Sequence, residues 1–175
     1  PWTSQKSRYL IYAEVEINKI PTAIACIHLE SLDNKTIRKE QLEVTFNELS
    51  HYKRAFILGD FNFDWDSENK NLSPDYLDTW KTLHPEDPGY TMPKSHEFMA
   101  WRPDKILIKK EVGVKPIFIE RLGMNPIPKY EHHLETQNEL YEIKTPSKHY
   151  GLRAVIHLDQ EPQGETVADG KKTSA

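Results

Sequence analysis

The sequence predicts an α+β domain, and two observations support this fold class. Short β-rich runs recur between residues 8 and 158, whereas only two stretches have the spacing and capping signals of helices. The first two β-rich runs are separated by a short turn, which is typical of an antiparallel hairpin. With 175 residues, the chain has room for one domain of ordinary size.

The composition excludes several classes of protein. Hydrophobic residues make up 37% of the chain, and 4 Trp, 8 Tyr and 6 Phe supply enough large apolar side chains to argue against wholesale disorder. The net charge of −4 excludes a diffuse basic coat for nucleic acid, so any phosphate binding must be local. No stretch approaches the roughly 18 apolar residues that a membrane span needs, and we therefore expect no membrane partner.

The single cysteine, Cys26, excludes a disulfide framework within the chain and a cysteine-based zinc site. It lies in the apolar run 22–29, so we expect a buried and inert thiol. One free cysteine and the lack of a signal-peptide pattern favour an intracellular compartment, the nucleus or the cytoplasm. The chain opens at Pro1 rather than Met, as expected of a processed chain or of a piece of a longer one.

The first half of the chain alternates strand and helix patterns. Residues 8–17 are β-rich and are followed by a turn at 18–21, and the near-continuous apolar run 22–29 predicts a strand covered on both faces. A helix follows, which Asp33 or Asn34 can cap. Its apolar stripe consists of Ile37, Leu42, Phe46 and Leu49.

The second half contains more strand patterns than helix patterns. Residues 54–59 form a short buried strand, and Pro74 is a favourable first residue for a short helix that ends at Leu83. Further strands are predicted at residues 104–108, 115–120 and 150–158, with a long loop at 123–146. Residues 1–158 are thus expected to form the domain, and residues 159–175, rich in Gly, Pro and charge, a disordered tail.

Polar side chains occur where the predicted strands begin or end, and strand ends are rigid mounts for site residues. His28 ends the second strand, and Asp60 and Asn62 follow the third. A carboxylate and an amide two residues apart suit an oxygen-liganded Mg²⁺, which would offset charge on a phosphoryl oxygen. Asp104 begins the fourth strand and His149 precedes the last, and a histidine held by a carboxylate acts well as an acid, a base or an electrostatic clamp.

Each of these residues also has an ordinary structural interpretation. Asp60 could close its strand in an Asx turn, and His28 could be a core histidine bonded to a carbonyl. Asp104 could form a surface ion pair with Arg102, which would contribute little. Single motifs do not decide between these alternatives, whereas their order along the chain is more specific.

Five motifs follow one another in the sequence. They are His28-Leu-Glu-Ser31, Arg38-x-x-Gln41-Leu42, Ile57-Leu-Gly-Asp-Phe-Asn62, Arg102-Pro-Asp-Lys-Ile-Leu107 and Pro146-Ser-Lys-His-Tyr-Gly-Leu152. In this order they resemble the motifs of the endonuclease/exonuclease/phosphatase superfamily, which has the deoxyribonuclease I-like fold. Within it, the sequence is most similar to tyrosyl-DNA phosphodiesterases that act on 5′-linked adducts, on the basis of Leu77-Asp-Thr-Trp80, Gly89-Tyr-Thr91 and Ile119-Glu-Arg-Leu-Gly123.

The resemblance implies an α/β sandwich of two packed sheets with helices outside, of which this chain carries mainly the C-terminal sheet and its helices. It also implies a hydrolase of the phosphodiesterase or nuclease type that binds DNA, acts on 5′-tyrosyl-DNA or other nucleic-acid ends in DNA repair, and depends on Mg²⁺, with Mn²⁺ as an alternative cation.

The resemblance also implies roles for individual residues. Asp60 and Asn62 would hold the metal and position the attacking water and the scissile phosphate. His149, oriented by Asp104, would contact a non-bridging phosphate oxygen, and His28 would be a second histidine on the phosphate side. The substrate-binding residues would be Ser31, Arg38, Ser147, Lys148 and Trp101, although Trp101 also fits a core position.

Two departures from the superfamily pattern favour an alternative function. Nothing before Arg8 matches the early Asn and the metal-binding Glu of the superfamily, so either a missing N-terminal half or a second chain would complete the sandwich. Lys148 stands where the superfamily has Asp, and an ammonium there would contact phosphate rather than hold a metal, unless it points away.

The alternative is a degenerate or incomplete homologue that binds nucleic acid or a phosphorylated ligand without cleavage. A third hypothesis is another substrate of the same superfamily, such as an inositol phosphate, a sphingolipid or an mRNA tail.

Overall fold

The structure is a computed structural model that describes residues 3–64, 66–95, 99–125 and 146–159. Within these ranges it contains seven strands and three helices. The strands are β1 (Leu10–Ile17), β2 (Ile20–His28), β3 (Arg54–Asp60), β4 (Tyr76–Asp78), β5 (Asp104–Lys109), β6 (Val114–Leu122) and β7 (Gly151–Leu158). The helices are α1 (Lys35–Glu48), α2 (Asp66–Asn69) and α3 (Thr79–Leu83). Most of the predicted loop 123–146 and nearly all of the predicted tail 159–175 lie outside the described residues.

Five strands form one mixed sheet in the order β1-β2-β3-β5-β4, in which only β2 and β3 are parallel neighbours. The predicted hairpin is confirmed, because β1 and β2 are antiparallel. Asn18 and Lys19 join them with φ angles of 54° and 63°, which is the left-handed conformation of a two-residue hairpin turn. Strands β6 and β7 form a second, two-stranded antiparallel sheet.

One face of the large sheet packs against α1. This core contains Ala23, Ala25, Ile27, Leu42, Ile57 and Leu107. The helix buries polar side chains as well, since Arg38, Gln41 and Thr45 are inaccessible beside Leu42. Asn34 is the N-cap residue as predicted, but its side chain donates to the Ser31 carbonyl rather than accepting from the helix.

Among the described residues, α3 and the β6–β7 sheet cover the other face of the large sheet over β3 and β5. The residues in this second core are Phe56, Trp80, Ile106, Ile108, Val114 and Ile119. Over β1 and β2, Ile11 and Ile24 are 68% and 40% exposed, and Cys26 is exposed too. The predictions of a strand covered on both faces and of a buried thiol are therefore wrong, because alternate residues of β2 point to a face that no described segment covers.

The region between β3 and β5 also differs from the prediction of one helix from Pro74 to Leu83. Residues Tyr76–Asp78 are extended because they pair with the edge of β5, and the helix begins only at Thr79. The Asp78 carboxylate caps it by accepting from the Lys81 amide. No helix among the described residues is long and apolar enough to cross a membrane.

Candidate active site

The strand ends bring four of the predicted site residues together. In the sheet register His28 lies beside Asp60, and Asp60 lies beside Asp104, so the three residues form a row across β2, β3 and β5. His149 lies two residues before β7 and joins this row from the segment that leads into the second sheet. Ligand atoms of Asp60, Asp104 and His149 all lie within 4.8 Å of one another.

The turn after β3 fixes Asp60 and Asn62. The Asn62 amide donates to Asp60 Oδ1 at 2.8 Å, and the Asn62 side chain donates from Nδ2 to the Leu29 carbonyl at 2.9 Å. This is the Asx turn that the sequence allowed, and it coexists with a position in the site. Gly59 permits the close strand pairing beneath it, because a Cβ added there would lie 1.9 Å from the Ile27 carbonyl oxygen.

Asp60 is surrounded by groups that change its acidity in opposite directions. Burial raises the pKa of the Asp60 carboxyl, and the neighbouring Asp104 charge raises it further. The hydrogen bond from the Asn62 amide and the charges of His28 and His149 lower it, but the net pKa shift is upward. The His28 Nε2 atom lies 3.4 Å from Asp60 Oδ2. The pKa of the Asp60 carboxyl therefore lies above its ordinary value.

Asp104 and His149 form the predicted dyad. His149 Nδ1 lies 2.9 Å from Asp104 Oδ2, and this hydrogen bond raises the pKa of His149 despite the opposing effect of burial. The alternative ion pair of Asp104 with Arg102 is wrong, because the buried Arg102 guanidinium binds both carboxylate oxygens of Asp78, at 3.0 Å and 2.7 Å. A raised pKa favours the imidazolium form, which is the form that stabilises an anion.

Thr91 is bonded to this dyad, and no role was predicted for it from the sequence. The buried Thr91 hydroxyl donates to Asp104 Oδ2 at 2.6 Å, and the Thr91 carbonyl accepts from the Tyr150 amide at 2.7 Å. Thr91 thus holds the carboxylate and the start of β7 together. The Gly89-Tyr-Thr91 motif contributed to the resemblance, but a single threonine in a loop gives no local signal of this contact.

Arg8 is a second residue that sequence reasoning missed. Its NH1 atom lies 3.0 Å from His28 Nδ1, on the side of the ring away from Asp60. The contact joins residues 20 positions apart in the chain and has no sequence signature.

Arg38 lies beneath the site rather than at its surface. Its guanidinium is 2% exposed, donates to both carboxylate oxygens of Glu68, and donates from NH1 to the carbonyls of Glu30 and Leu32. These bonds use four of the five N–H donors of the guanidinium and fix the loop that carries Ser31, so Arg38 supports the site from the helix, and its contact with a substrate stays a prediction.

The other predicted substrate-binding residues lie at the margin of the site. Ser147 and Lys148 are exposed just before His149, whose backbone amide donates to Ser147 Oγ at 3.2 Å. Trp101 is half-buried, and its Nε1 atom donates to the Met92 sulfur. These positions are compatible with contacts to a substrate, and their roles stay predictions.

The donor set fits a hydrated divalent cation. Mg²⁺ prefers oxygen ligands and is commonly held by one or two carboxylates while it keeps several waters. Asp60 Oδ2 is an oxygen of that kind, and the Asn62 side chain also carries an amide oxygen, Oδ1, since Nδ2 is the atom that donates to Leu29. Asp104 Oδ2 is less suited, since it already accepts from Thr91 and His149.

Comparisons with known proteins give matches only at the level of structure. No protein-family model and no curated protein matches the sequence. The crystal structure of D. rerio TDP2 complexed with single strand DNA product is similar with a TM-score of 0.69 and 22% identity, over 89% of this chain and 64% of that chain. Truncated Caenorhabditis elegans TDP2 is similar with a TM-score of 0.68 and 18% identity, over 89% of this chain and 62% of that chain.

A bacterial structure gives the same result. The endonuclease/exonuclease/phosphatase family protein from Bacteroides thetaiotaomicron is similar with a TM-score of 0.58 and 17% identity, over 86% of this chain and 55% of that chain. This chain therefore spans less than two thirds of the length of each of these structures. It has the α+β, deoxyribonuclease I-like fold of the TDP2 and endonuclease/exonuclease/phosphatase structures, over the part of that fold that it spans.

Proposed function

We propose that this chain is part of a phosphodiesterase that depends on a divalent cation and hydrolyses phosphodiester bonds at nucleic-acid ends, with 5′-tyrosyl-DNA as the favoured substrate. The observation that carries the proposal is the row of His28, Asp60 and Asp104 across the strand ends, with His149 beside it. Part-buried hydrogen bonds at the strand ends hold Asp60, Asp104 and His149, which gives the rigidity that a catalytic arrangement needs.

In the proposed reaction, Asp60 and the dyad of Asp104 and His149 have different roles. Asp60, whose pKa is raised chiefly by burial, orients the attacking water by accepting its hydrogen bond. His149 is oriented by Asp104, which raises the pKa of His149 and so favours the imidazolium, and it donates from Nε2 to a non-bridging phosphoryl oxygen, where negative charge increases in the transition state. Mg²⁺ or Mn²⁺, held by Asp60 and Asn62, would supply positive charge that offsets charge on the phosphoryl oxygens.

The proposal includes a further polypeptide segment, because the chain spans only 64% of the D. rerio TDP2 structure. In this proposal residues 1–158 form the C-terminal part of a sandwich in the nucleus or the cytoplasm. The other part, on the same chain or on a second chain, covers the exposed side chains of β1 and β2, including Ile11 and Ile24.

Lys148 supports a second candidate function, which is binding without cleavage. Lys148 is exposed and directly precedes His149 in the chain, and in this second candidate function its positive charge would oppose a cation at the site. A protein of this kind would bind DNA in a salt-sensitive manner without turnover.

The first experiment measures release of tyrosine from a 5′-phosphotyrosyl single-stranded oligonucleotide, with and without Mg²⁺ or Mn²⁺. We expect turnover once the segment that completes the sandwich is present, and we expect it to fall by at least about 10²-fold in Asp60→Asn, because the group that orients the water is lost. Asp33→Asn is the matched control, since it removes the same charge from an exposed position in the loop before α1. Equal rates in Asp60→Asn and the unmodified chain would contradict the proposal.

The second candidate function is separated from the first by Lys148→Asp. A chain that binds the oligonucleotide without turnover, and that gains turnover on this substitution, would be a degenerate phosphodiesterase. Binding that is absent in both forms would contradict both candidate functions.

A further inference from the structure

Arg8 contacts His28 in a way that restricts the chemistry of the imidazole. The guanidinium NH1 lies 3.0 Å from His28 Nδ1. A guanidinium carries only donors, so Nδ1 must be the accepting nitrogen of the ring. The proton of the neutral imidazole then lies on Nε2, which is 3.4 Å from Asp60 Oδ2. The contact is compatible with one tautomer only.

The N-terminal segment that carries Arg8 is fixed to the same loop as His28. Ser4 Oγ accepts from the Arg8 amide at 2.8 Å and donates to Glu30 Oε2, also at 2.8 Å. Glu30 is fully buried two residues after His28. The Gln41 side chain adds a second attachment by donating to the Thr3 carbonyl. Arg8 is therefore placed by several hydrogen bonds, and its position against His28 is determined by the fold.

We propose that Arg8 is a positioning residue that selects, of the two tautomers of His28, the one with its proton on Nε2. In this tautomer the N–H of Nε2 lies on the side of the ring that faces Asp60 Oδ2, and Nδ1 accepts from Arg8. The two histidines of the site then have opposite tasks, since Arg8 presents a cation to His28, whereas Asp104 presents an anion to His149. The tautomer follows from the contact alone, and its effect on cleavage rests on the proposed function.

The direct test is a long-range ¹H–¹⁵N correlation spectrum of the chain with ¹⁵N-labelled histidine, at about pH 8, where ordinary histidines are neutral. Loss of one set of signals in His28→Gln assigns the ring. We expect His28 to show an unprotonated Nδ1 and a protonated Nε2, with no detectable second tautomer. In Arg8→Met, which removes the donors and keeps the length of the side chain, we expect a measurable share of the Nδ1–H tautomer.

Two further variants make this result specific. Lys6→Met removes one positive charge from the same exposed segment without a described contact to His28, and we expect the spectrum of the unmodified chain. Arg8→Lys keeps a charged donor, and we expect it to restore most of the single tautomer. If Arg8→Met leaves the His28 signals unchanged while the backbone spectrum shows a folded chain, the proposal is wrong. If Arg8→Met does not fold, Arg8→Gln replaces it, because the shorter Gln side chain does not reach the ring. A mixture of tautomers in folded Arg8→Gln supports the proposal, and a single tautomer overturns it.

Kinetics add a second readout if the chain cleaves the oligonucleotide. We expect Arg8→Met to lower kcat by roughly 10-fold with a smaller change in KM, the usual size of effect for a residue that orients a site histidine. A rise in KM with kcat unchanged would show that Arg8 binds substrate phosphate directly, which would overturn the positioning role. The spectra test the tautomer without any turnover, so failure of the proposed function and failure of this inference are distinguishable.

Discussion

At the scale of single residues, the hydrogen bond from His149 to Asp104 makes the charge of the site dependent on pH. We expect an NMR titration to give a pKa for His149 above the ordinary value of about 6.5. In Asp104→Asn the pKa should fall below that of the unmodified chain, because the largest raising contribution is lost and burial then dominates. Asp33→Asn is the control and should leave the titration of His149 unchanged. A His149 titration that does not move in Asp104→Asn would contradict the dyad.

The same hydrogen bond links stability to pH. Because the pKa of His149 is higher in the folded chain than in the unfolded chain, the folded chain binds the proton more tightly. This contribution to stability is fully present below about pH 6.5 and is lost as the pH rises through the folded pKa. Denaturation at a series of pH values should show this dependence, and Asp104→Asn should reduce it.

Gly59 is the residue at which backbone geometry constrains the site most strongly. Its φ of 138° is unfavourable for residues with a side chain, and an added Cβ would clash with the Ile27 carbonyl. We expect Gly59→Ala to lower the free energy of unfolding by about 3 kcal/mol or more, measured by urea denaturation. Gly151→Ala is the matched control, because the nearest heavy atom there, in Leu122, is 3.5 Å away. Similar losses in both variants would show that the Gly59 backbone is not the cause.

At the scale of elements, a buried ion pair joins α1 to the short helix α2. Arg38 and Glu68 are each about 3% exposed at the side chain and are 2.7 Å apart. Arg38→Met would leave the Glu68 carboxylate buried without its cation, and we expect a loss of about 3–5 kcal/mol. A double-mutant cycle with Glu68→Met should recover part of this loss, because the unpaired charge is then also removed.

The same helix offers a matched control for this pair. Lys39 and Glu43 form an exposed ion pair one helical turn apart, with 3.7 Å between Lys39 Nζ and Glu43 Oε1. We expect a coupling energy of about 0.5 kcal/mol or less for it in the same type of cycle. Equal coupling in the two pairs would contradict a structural role for the buried pair.

The elements also show what the sequence does and does not predict. Strands β2, β3, β5 and β7 and helix α1 follow from local patterns and capping residues. The structure brings together Asp60, Asp104 and His149, which the predicted strand ends carry. Strand β4 has no such pattern, because Tyr76–Asp78 are extended only through pairing with β5. The contacts of Arg8 with His28 and of Thr91 with Asp104 join distant parts of the chain, so no local pattern records them.

At the scale of the whole molecule, the exposed apolar side chains over β1 and β2 should govern association. Ile11, Ile24 and Cys26 lie on one face of the large sheet, and exposed patches of this kind mark interaction surfaces. We expect the chain to self-associate with rising concentration in sedimentation velocity, and Ile24→Lys to raise the concentration needed by about tenfold. Val112→Lys, at a turn where Val112 is 97% exposed, is the control. Equal association of all three proteins would contradict this role of the face.

The pairing of β6 with β7 also affects whether His149 and Asp104 are in contact. Strands β6 and β7 are separated by residues 123–150, so their pairing closes a long loop. His149 lies two residues before the first residue of β7. Closure of such a loop costs entropy before its contacts are made, and β7 is the element whose opening would separate His149 from Asp104 with β2 and β3 still paired. Hydrogen exchange of the β7 amides would therefore report the fraction of molecules in which the dyad is assembled. A binding event that stabilises β7 would raise that fraction without touching either residue of the dyad.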